Sequence, residues 1–145
     1  MTSFDLKVLA LAGGIFLLFW IFMVLPGYFY LLTLRNALAL CAPESRSMSP
    51  GRVWLLWIPL FNVAWHFVVV VHVMRSLQNE YARRHIEDVT LGKTRVLGLI
   101  VCALIAGSLV PGLWLYLLGL WITLGTNFWF KICSCNERLK STRDN

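Results

Sequence analysis

Val96 to Phe130 is a run of 35 residues without one charge. A helix needs about 20 apolar residues to cross a ~30 Å hydrocarbon core, so the run is too long for one crossing. Pro111 and Gly112 divide it, and a Pro-Gly pair inside a helical pattern is a strong turn signal. The run therefore reads as two spanning helices folded into a tight hairpin.

Two more blocks have the same character. Leu6 to Leu34 exceeds spanning length, and Val53 to Met74 carries only Asn62, His66 and His72 as strongly polar residues. The apolar residues come in long runs rather than in the alternation of half-exposed strands, which favours helices over a barrel. At 59% hydrophobic and 14% charged residues, the 145-residue chain is one domain too apolar for an ordinary soluble fold. The expected fold is an all-α integral membrane four-helix bundle, a single transmembrane domain over 1–145. Its spans lie at about 6–34, 53–75, 92–110 and 113–131.

Orientation follows from Lys and Arg. With four spans, Lys7, Arg75, Arg83, Arg84, Lys93, Arg95, Lys131, Arg138, Lys140 and Arg143 share one face, against Arg35, Arg46 and Arg52 on the other. Both termini are then cytoplasmic, and the Asn36 to Arg52 loop and the Pro111 turn face outward. The net charge of +6 reads as a topology signal and an attraction to anionic headgroups rather than a nucleic-acid footprint. Ala10-Leu11-Ala12 comes too early for a cleavable signal, and the bulky Leu40 argues against lipid attachment at Cys41.

Along the chain, Pro26-Gly27 is expected to kink the first helix. Gly27, Leu31, Leu34, Leu38 and Cys41 recur at helical spacing and carry it to about Leu40. The segment PESRSMSPG reads as the outer loop. Glu80 stands three and four residues before Arg83 and Arg84, the pattern of a solvated helical face, so Val53 to Ile86 reads as one rod.

The polar residues of the second span are the candidates for function. Pro59, Asn62 and His66 follow an i, i+3, i+7 pattern and would share an inward face. Pro59 cannot donate to the carbonyl of Leu55, and Asn62 is placed to satisfy the disturbed backbone or to bond to a neighbouring helix. His66 is not needed for that repair, and ionisable groups inside a membrane are functional by default. On the third span Ala103 and Gly107, four apart, are the expected helix-packing residues. The predicted orientation keeps Cys41 from the inner cysteines, and Cys133-Ser134-Cys135 has neither zinc nor redox spacing. The spans hold no Asp or Glu, no second span holds a histidine, and no phosphate loop or nucleophile elbow occurs, so no metal, haem or other cofactor is expected.

LRNALAL, SPGRVWLLWIPLFN and VMRSL together carry a resemblance. Leu34, Arg35, Asn36, Ser49, Pro50, Gly51, Trp54, Pro59, Asn62, Met74 and Arg75, within Tyr30 to Leu77, resemble a family of small bacterial multi-pass membrane domains of unassigned function. The resemblance implies a bacterial four-helix membrane protein and supplies no reaction. That family's pattern has a second proline soon after the asparagine, where this chain has Trp65, His66 and Phe67. The function expected from all this is non-enzymatic binding within the bacterial inner membrane, as an accessory subunit or an immunity-type antagonist of a pore-forming toxin. Its partners would be the lipid bilayer and another membrane protein or further copies of the chain, with no nucleic acid. The alternative is a homo-oligomeric channel or carrier for a small solute, lined by His66 and Asn62.

Overall fold

Two X-Pro steps decide how the middle of the chain folds. A residue before proline is pushed out of the helical region, and Ser49 (φ −69°, ψ 141°) and Ile58 (φ −79°, ψ 112°) are both extended. Between them lies a 3-10 helix, Pro50–Trp57, with its proline at the first turn where no donor is required. The computed structural model of the chain describes residues 3–58, 61–88, 90–107, 110, 112 and 114–142. Among them the elements are α1 (Ser3–Leu40), the 3-10 helix, α2 (Phe61–Arg83), α3 (Thr90–Gly107) and α4 (Trp114–Ser141), with no strand. The chain is all-α.

It divides into two compact units, residues 1–32 and 33–145. The first is the larger part of α1. From Leu6 to Leu18 every residue is exposed, including Leu9, Leu11, Phe16, Leu17 and Leu18. Among the described residues, Thr90–Gly107 is long and apolar enough to cross a membrane, and Leu6–Leu18 is a shorter apolar helix.

The second unit is built on α2. Its buried residues, His66, Val69, Val70, Val73, Met74, Ser76, Leu77, Glu80 and Tyr81, follow the 3.6-residue period and form one stripe. That stripe packs against α3 and the 3-10 helix, and α3 packs against α4. The tightest approach is at Gly98. A Cβ there would stand 2.7 Å from Phe128 Cε2 and 2.7 Å from Val70 Cγ1. The expected packing pair is less central: Ala103 is exposed, and a Cβ on Gly107 would meet only Leu117 Cδ1, at 3.2 Å. Spacing showed that small residues recur on α3 but not which of them faced a neighbour. Between α3 and α4, Gly112 has φ +89°, which glycine adopts without strain.

The second block is not one rod. The chain leaves the 3-10 helix at Ile58, enters α2 at Phe61, and doubles back. Trp65 Nε1 donates to the carbonyl of Arg52 (3.0 Å), the Ser47 N–H to Ser76 Oγ (2.9 Å), Asn79 Nδ2 to the carbonyl of Ser45 (3.3 Å), and the Ala42 N–H to Glu80 Oε2 (3.0 Å). Residues 42–52 thus run antiparallel along α2. The Asn36 to Arg52 loop and the Arg83-Arg84 segment, expected on opposite faces, are hydrogen-bonded neighbours. The single rod expected from Val53 to Ile86 is interrupted after Trp57, and the division that set the Asn36 to Arg52 loop apart from Arg83 and Arg84 fails. Arg35 and Arg46 belong to the same end of the second unit as Arg83, Arg84 and Arg138.

The end of α2 is closed by His85, a non-glycine residue with φ 54°. The Ile86 N–H donates to the carbonyl of Tyr81 (2.9 Å) and the His85 N–H to that of Ala82 (3.2 Å), the two bonds of a Schellman cap. Because the left-handed position strains any residue with a Cβ, His85→Gly is expected to stabilise the second unit by up to about 1 kcal/mol. Gly98→Ala should destabilise it by about 1–3 kcal/mol, since Phe128 or Val70 must move, while Ala103→Leu should change little. Thermal unfolding of the detergent-solubilised chain followed by circular dichroism checks all three.

Candidate functional site

Two of the three residues of the expected polar face are described. Pro59 lies outside the described residues. Asn62 and His66 stand one turn apart at the start of α2 and share a side of the helix, Asn62 half-buried and His66 buried at 8% exposure. Among the described residues, the carbonyl of Leu55 that Asn62 is expected to help satisfy has a backbone donor of its own. The carbonyl of Leu55 accepts instead from the Ile58 N–H (3.2 Å), and Ile58 in turn accepts from the Asn62 N–H (3.0 Å). The backbone closes on itself because Ile58, being extended, turns its N–H back into the 3-10 helix. The Oδ1 of Asn62 is buried with no hydrogen-bond partner among the described residues. Beside it, Phe61 and Trp65 stack with ring centroids 5.2 Å apart. His66 belongs to the packed stripe of α2, so it faces the interior of the second unit. Of the packing pair, Gly107 lies close to α4, where a Cβ would stand 3.2 Å from Leu117 Cδ1, and Ala103 is exposed.

The densest polar constellation is at the other end of α2, and sequence reasoning placed it on a solvated surface. Glu80 has a side-chain exposure of zero. Its Oε1 accepts from Arg83 Nη2 (2.6 Å) and Arg84 Nε (2.6 Å), and its Oε2 from Arg83 Nε (3.2 Å) and the Ala42 N–H (3.0 Å). Burial alone would raise its pKa, but the bonds from Arg83, Ala42, Arg84 and Ser45 prevail and hold it down at about 2. The carboxylate is therefore ionised, and buried charge of this kind persists only when it is fully bonded.

Arg84 extends the constellation. Its Nη1 donates to the carbonyl of Leu139 in the last turn of α4 (2.9 Å), and its Nη2 to that of Leu40, the last residue of α1 (3.3 Å). Arg46 adds two bonds at the same place, from Nε to the carbonyl of Cys41 (2.9 Å) and from Nη2 to that of Ala39 (2.9 Å). The final carbonyls of a helix have no partner within it and form the negative end of its dipole, so a guanidinium fits there on both counts. Glu80 holds Arg84, and Arg84 holds two helix ends.

Around this clasp the other polar groups are tied down. Ser47 Oγ and Ser76 Oγ both donate to the carbonyl of His72 (2.8 Å each), with His72 Nδ1 3.0 Å from Ser47 Oγ. Tyr81 donates its hydroxyl to the carbonyl of Cys135 (3.2 Å). Thr33 accepts from Trp129 Nε1 at its hydroxyl (2.9 Å) and from Asn136 Nδ2 at its carbonyl (3.1 Å), which joins the end of α1 to α4. Asp88 caps α3 through the Thr90 N–H (2.8 Å) and binds Arg138 of α4 (2.9 Å). Burial works to raise the pKa of Asp88, yet these donors keep it below the ordinary value.

All four cysteines are free thiols. Cys41 lies at the clasp end, so the compartment argument against its pairing no longer applies. Its thiol is pushed up to about 12, chiefly by burial and then by Glu80, which leaves a poor nucleophile at neutral pH. Burial raises Cys135 as well. Among the described residues no three His, Cys, Asp or Glu side chains gather as a metal ion would require. The clasp fastens helices and offers no group poised to move a proton or attack a substrate. Comparison with known protein families, with curated proteins and with solved structures returned no match.

The pH dependence of the clasp has a definite sign. The folded-state pKa of Glu80 lies below its ordinary value of 4.5, so its contribution to stability is fully present above about pH 4.5 and is lost as pH falls toward 2. Glu80→Gln should remove that acid-dependent component and lower stability at pH 7 by about 3–5 kcal/mol, because it leaves Arg84 charged in a mostly buried position. Unfolding midpoints measured between pH 7 and pH 3 for both proteins test this. An unchanged acid dependence in the variant would assign it elsewhere.

Proposed function

We propose that this chain is a non-enzymatic integral membrane protein of the bacterial inner membrane, acting through binding within the bilayer as an accessory subunit or an immunity-type antagonist. The observation that carries this reading is the first part of α1. A helix that is apolar and exposed on every side from Leu6 to Leu18 is unfavourable in water. In lipid the same helix has all its backbone bonds satisfied internally. The exposed apolar residues of the other helices, among them Ile100 on α3 and Tyr116, Leu120 and Phe130 on α4, support the same environment. The full expectation is the four-helix membrane bundle whose third and fourth helices form a hairpin.

Binding rather than catalysis is favoured by what the polar groups do. Glu80, Arg84, Arg46, Asp88, Ser47 and Ser76 are engaged in holding segments of the chain together, which leaves recognition to its exposed apolar faces. Ala103, whose small side chain is exposed, and Gly13 and Gly14, where a Cβ would meet nothing within 4 Å, are points at which another helix can approach closely. A pore lined by His66 and Asn62 is less well supported, because opening one along His66 would require prising the packed side of α2 from its neighbours.

Native mass spectrometry of the chain, extracted from its own membrane at natural expression, tests the reading. A complex with a second membrane protein is expected. A monomer carrying lipid alone would refute the binding role, and a homo-oligomer alone would return the pore reading to the front, with His66→Ala as its first variant.

A further inference from the structure

Toward its clasp end the second unit also carries cations that form no ion pair among the described residues, although Lys131 acts on Asp88 at longer range. Val70, Gly98 and Phe128 mark one level across α2, α3 and α4, since a Cβ on Gly98 would touch both neighbours. From that level α2 and α4 run toward the clasp, as the bonds of Tyr81 and Arg84 to Cys135 and Leu139 require, and α3 runs away from it. Arg75 follows Val70 by five residues and Lys131 follows Phe128 by three, while Arg95 and Lys93 precede Gly98 by three and five. At ~1.5 Å per residue, all four lie between about 4.5 and 7.5 Å on the clasp side of that level.

Arg75, Lys93, Arg95 and Lys131 are all exposed. Among the described residues none of them has an ion-pair partner. The paired carboxylates serve other bases: Glu80 bonds Arg83 and Arg84, Asp88 bonds Arg138, and Glu137 bonds Lys140. On the side away from the clasp the exposed surface is mostly apolar, with Ile100, Leu120, Trp121 and Ile122; the exposed Thr123, Thr126 and Asn127 turn their side chains onto carbonyls of α4, and Arg52, whose carbonyl accepts from Trp65, is exposed there as well. At their own level stands Phe130, 72% exposed. On the other side is the clasp. Apolar surface, then an aromatic ring with cations, then polar surface is the order of a bilayer boundary.

We propose that Arg75, Lys93, Arg95 and Lys131 form a belt that binds the phosphate groups of anionic phospholipids and sets the depth of the second unit in the membrane. This rests on the membrane reading above. Four cations on three helices at nearly one height match a plane of phosphates, and each basic residue at such a surface adds attraction that salt screens. The clasp then lies beyond the hydrocarbon, where its ionised Glu80 belongs.

The test uses the full chain with vesicles of phosphatidylcholine alone and of phosphatidylcholine with phosphatidylglycerol. Flotation reports insertion, and native mass spectrometry after gentle extraction reports phosphatidylglycerol retained per protein. The expected result is insertion into both, preferential retention of phosphatidylglycerol, and a fall of about tenfold in that retention for the triple variant Arg75→Gln, Arg95→Gln, Lys131→Gln. A control variant with the same loss of charge, Lys7→Gln, Arg52→Gln, Lys140→Gln, should stay within about twofold of the unaltered chain. Equal falls in the two variants, or no preference for phosphatidylglycerol despite insertion, overturn the belt. Failure of the unaltered chain to float with either vesicle would instead defeat the membrane reading beneath it.

Discussion

The buried carboxylate of Glu80 is the constraint on which the second unit depends. An ionised group with no exposed surface is tolerated only if its oxygens are bonded, and here the donors come from two neighbouring arginines and from a backbone N–H thirty-eight residues away. That requirement brings the segment after α1 onto α2. It also fixes Arg84 in one orientation, and an oriented guanidinium has donors left for the carbonyls at the ends of α1 and α4. One charge inside the protein thereby specifies where three helices finish together. Replacing such a pair by apolar residues can be neutral for stability, so its value here lies in specifying which segments meet.

The same unit is polarised along its length. Near Gly98 the nearest neighbours are the apolar side chains of Val70 and Phe128. Toward the clasp the contacts become hydrogen bonds and ion pairs, through Thr33, Ser47, Tyr81, Asp88 and Asn136. A fold that is apolar at one level and bonded through charge at another supports the proposed crossing from lipid into a headgroup layer. In the clasp the polar side chains of Glu80, Arg84 and Arg46 are bonded to structural partners, and burial pushes the neighbouring Cys41 thiol away from ionisation.

How much of this was legible in the sequence depends on the range of the interaction. The uncharged run from Val96 to Phe130, with glycine at the point of reversal, announced two helices and a turn, because helix length and turn chemistry are local. The buried stripe of α2 is not legible from its period, because Phe67 to Val71 is apolar at every position and only the neighbouring elements select Val69 and Val70. Glu80 could not be read as buried, because its spacing to Arg83 and Arg84 is the same on a solvated helix as on an enclosed one. What marks it out is the N–H of Ala42, and nothing in sequence spacing links residues 42 and 80. Gly98 was missed for a related reason, since small residues recur at helical spacing along much of α3 and only Val70 and Phe128 select one of them.

The sequence by itself determined that the chain is all-α and apolar, because composition and periodicity act on each segment separately. It also contained, at Pro50 and Pro59, the steric reason for a break in the second block, although the break reads equally as a kink in a continuing helix. Only the tertiary structure decided that the chain doubles back there, that residues 42–52 lie along α2, and that Arg35 and Arg46 join Arg83 and Arg84 at one end. Those outcomes rest on bonds between residues far apart in sequence, and the free energy of closing them belongs to the assembled unit rather than to any one segment.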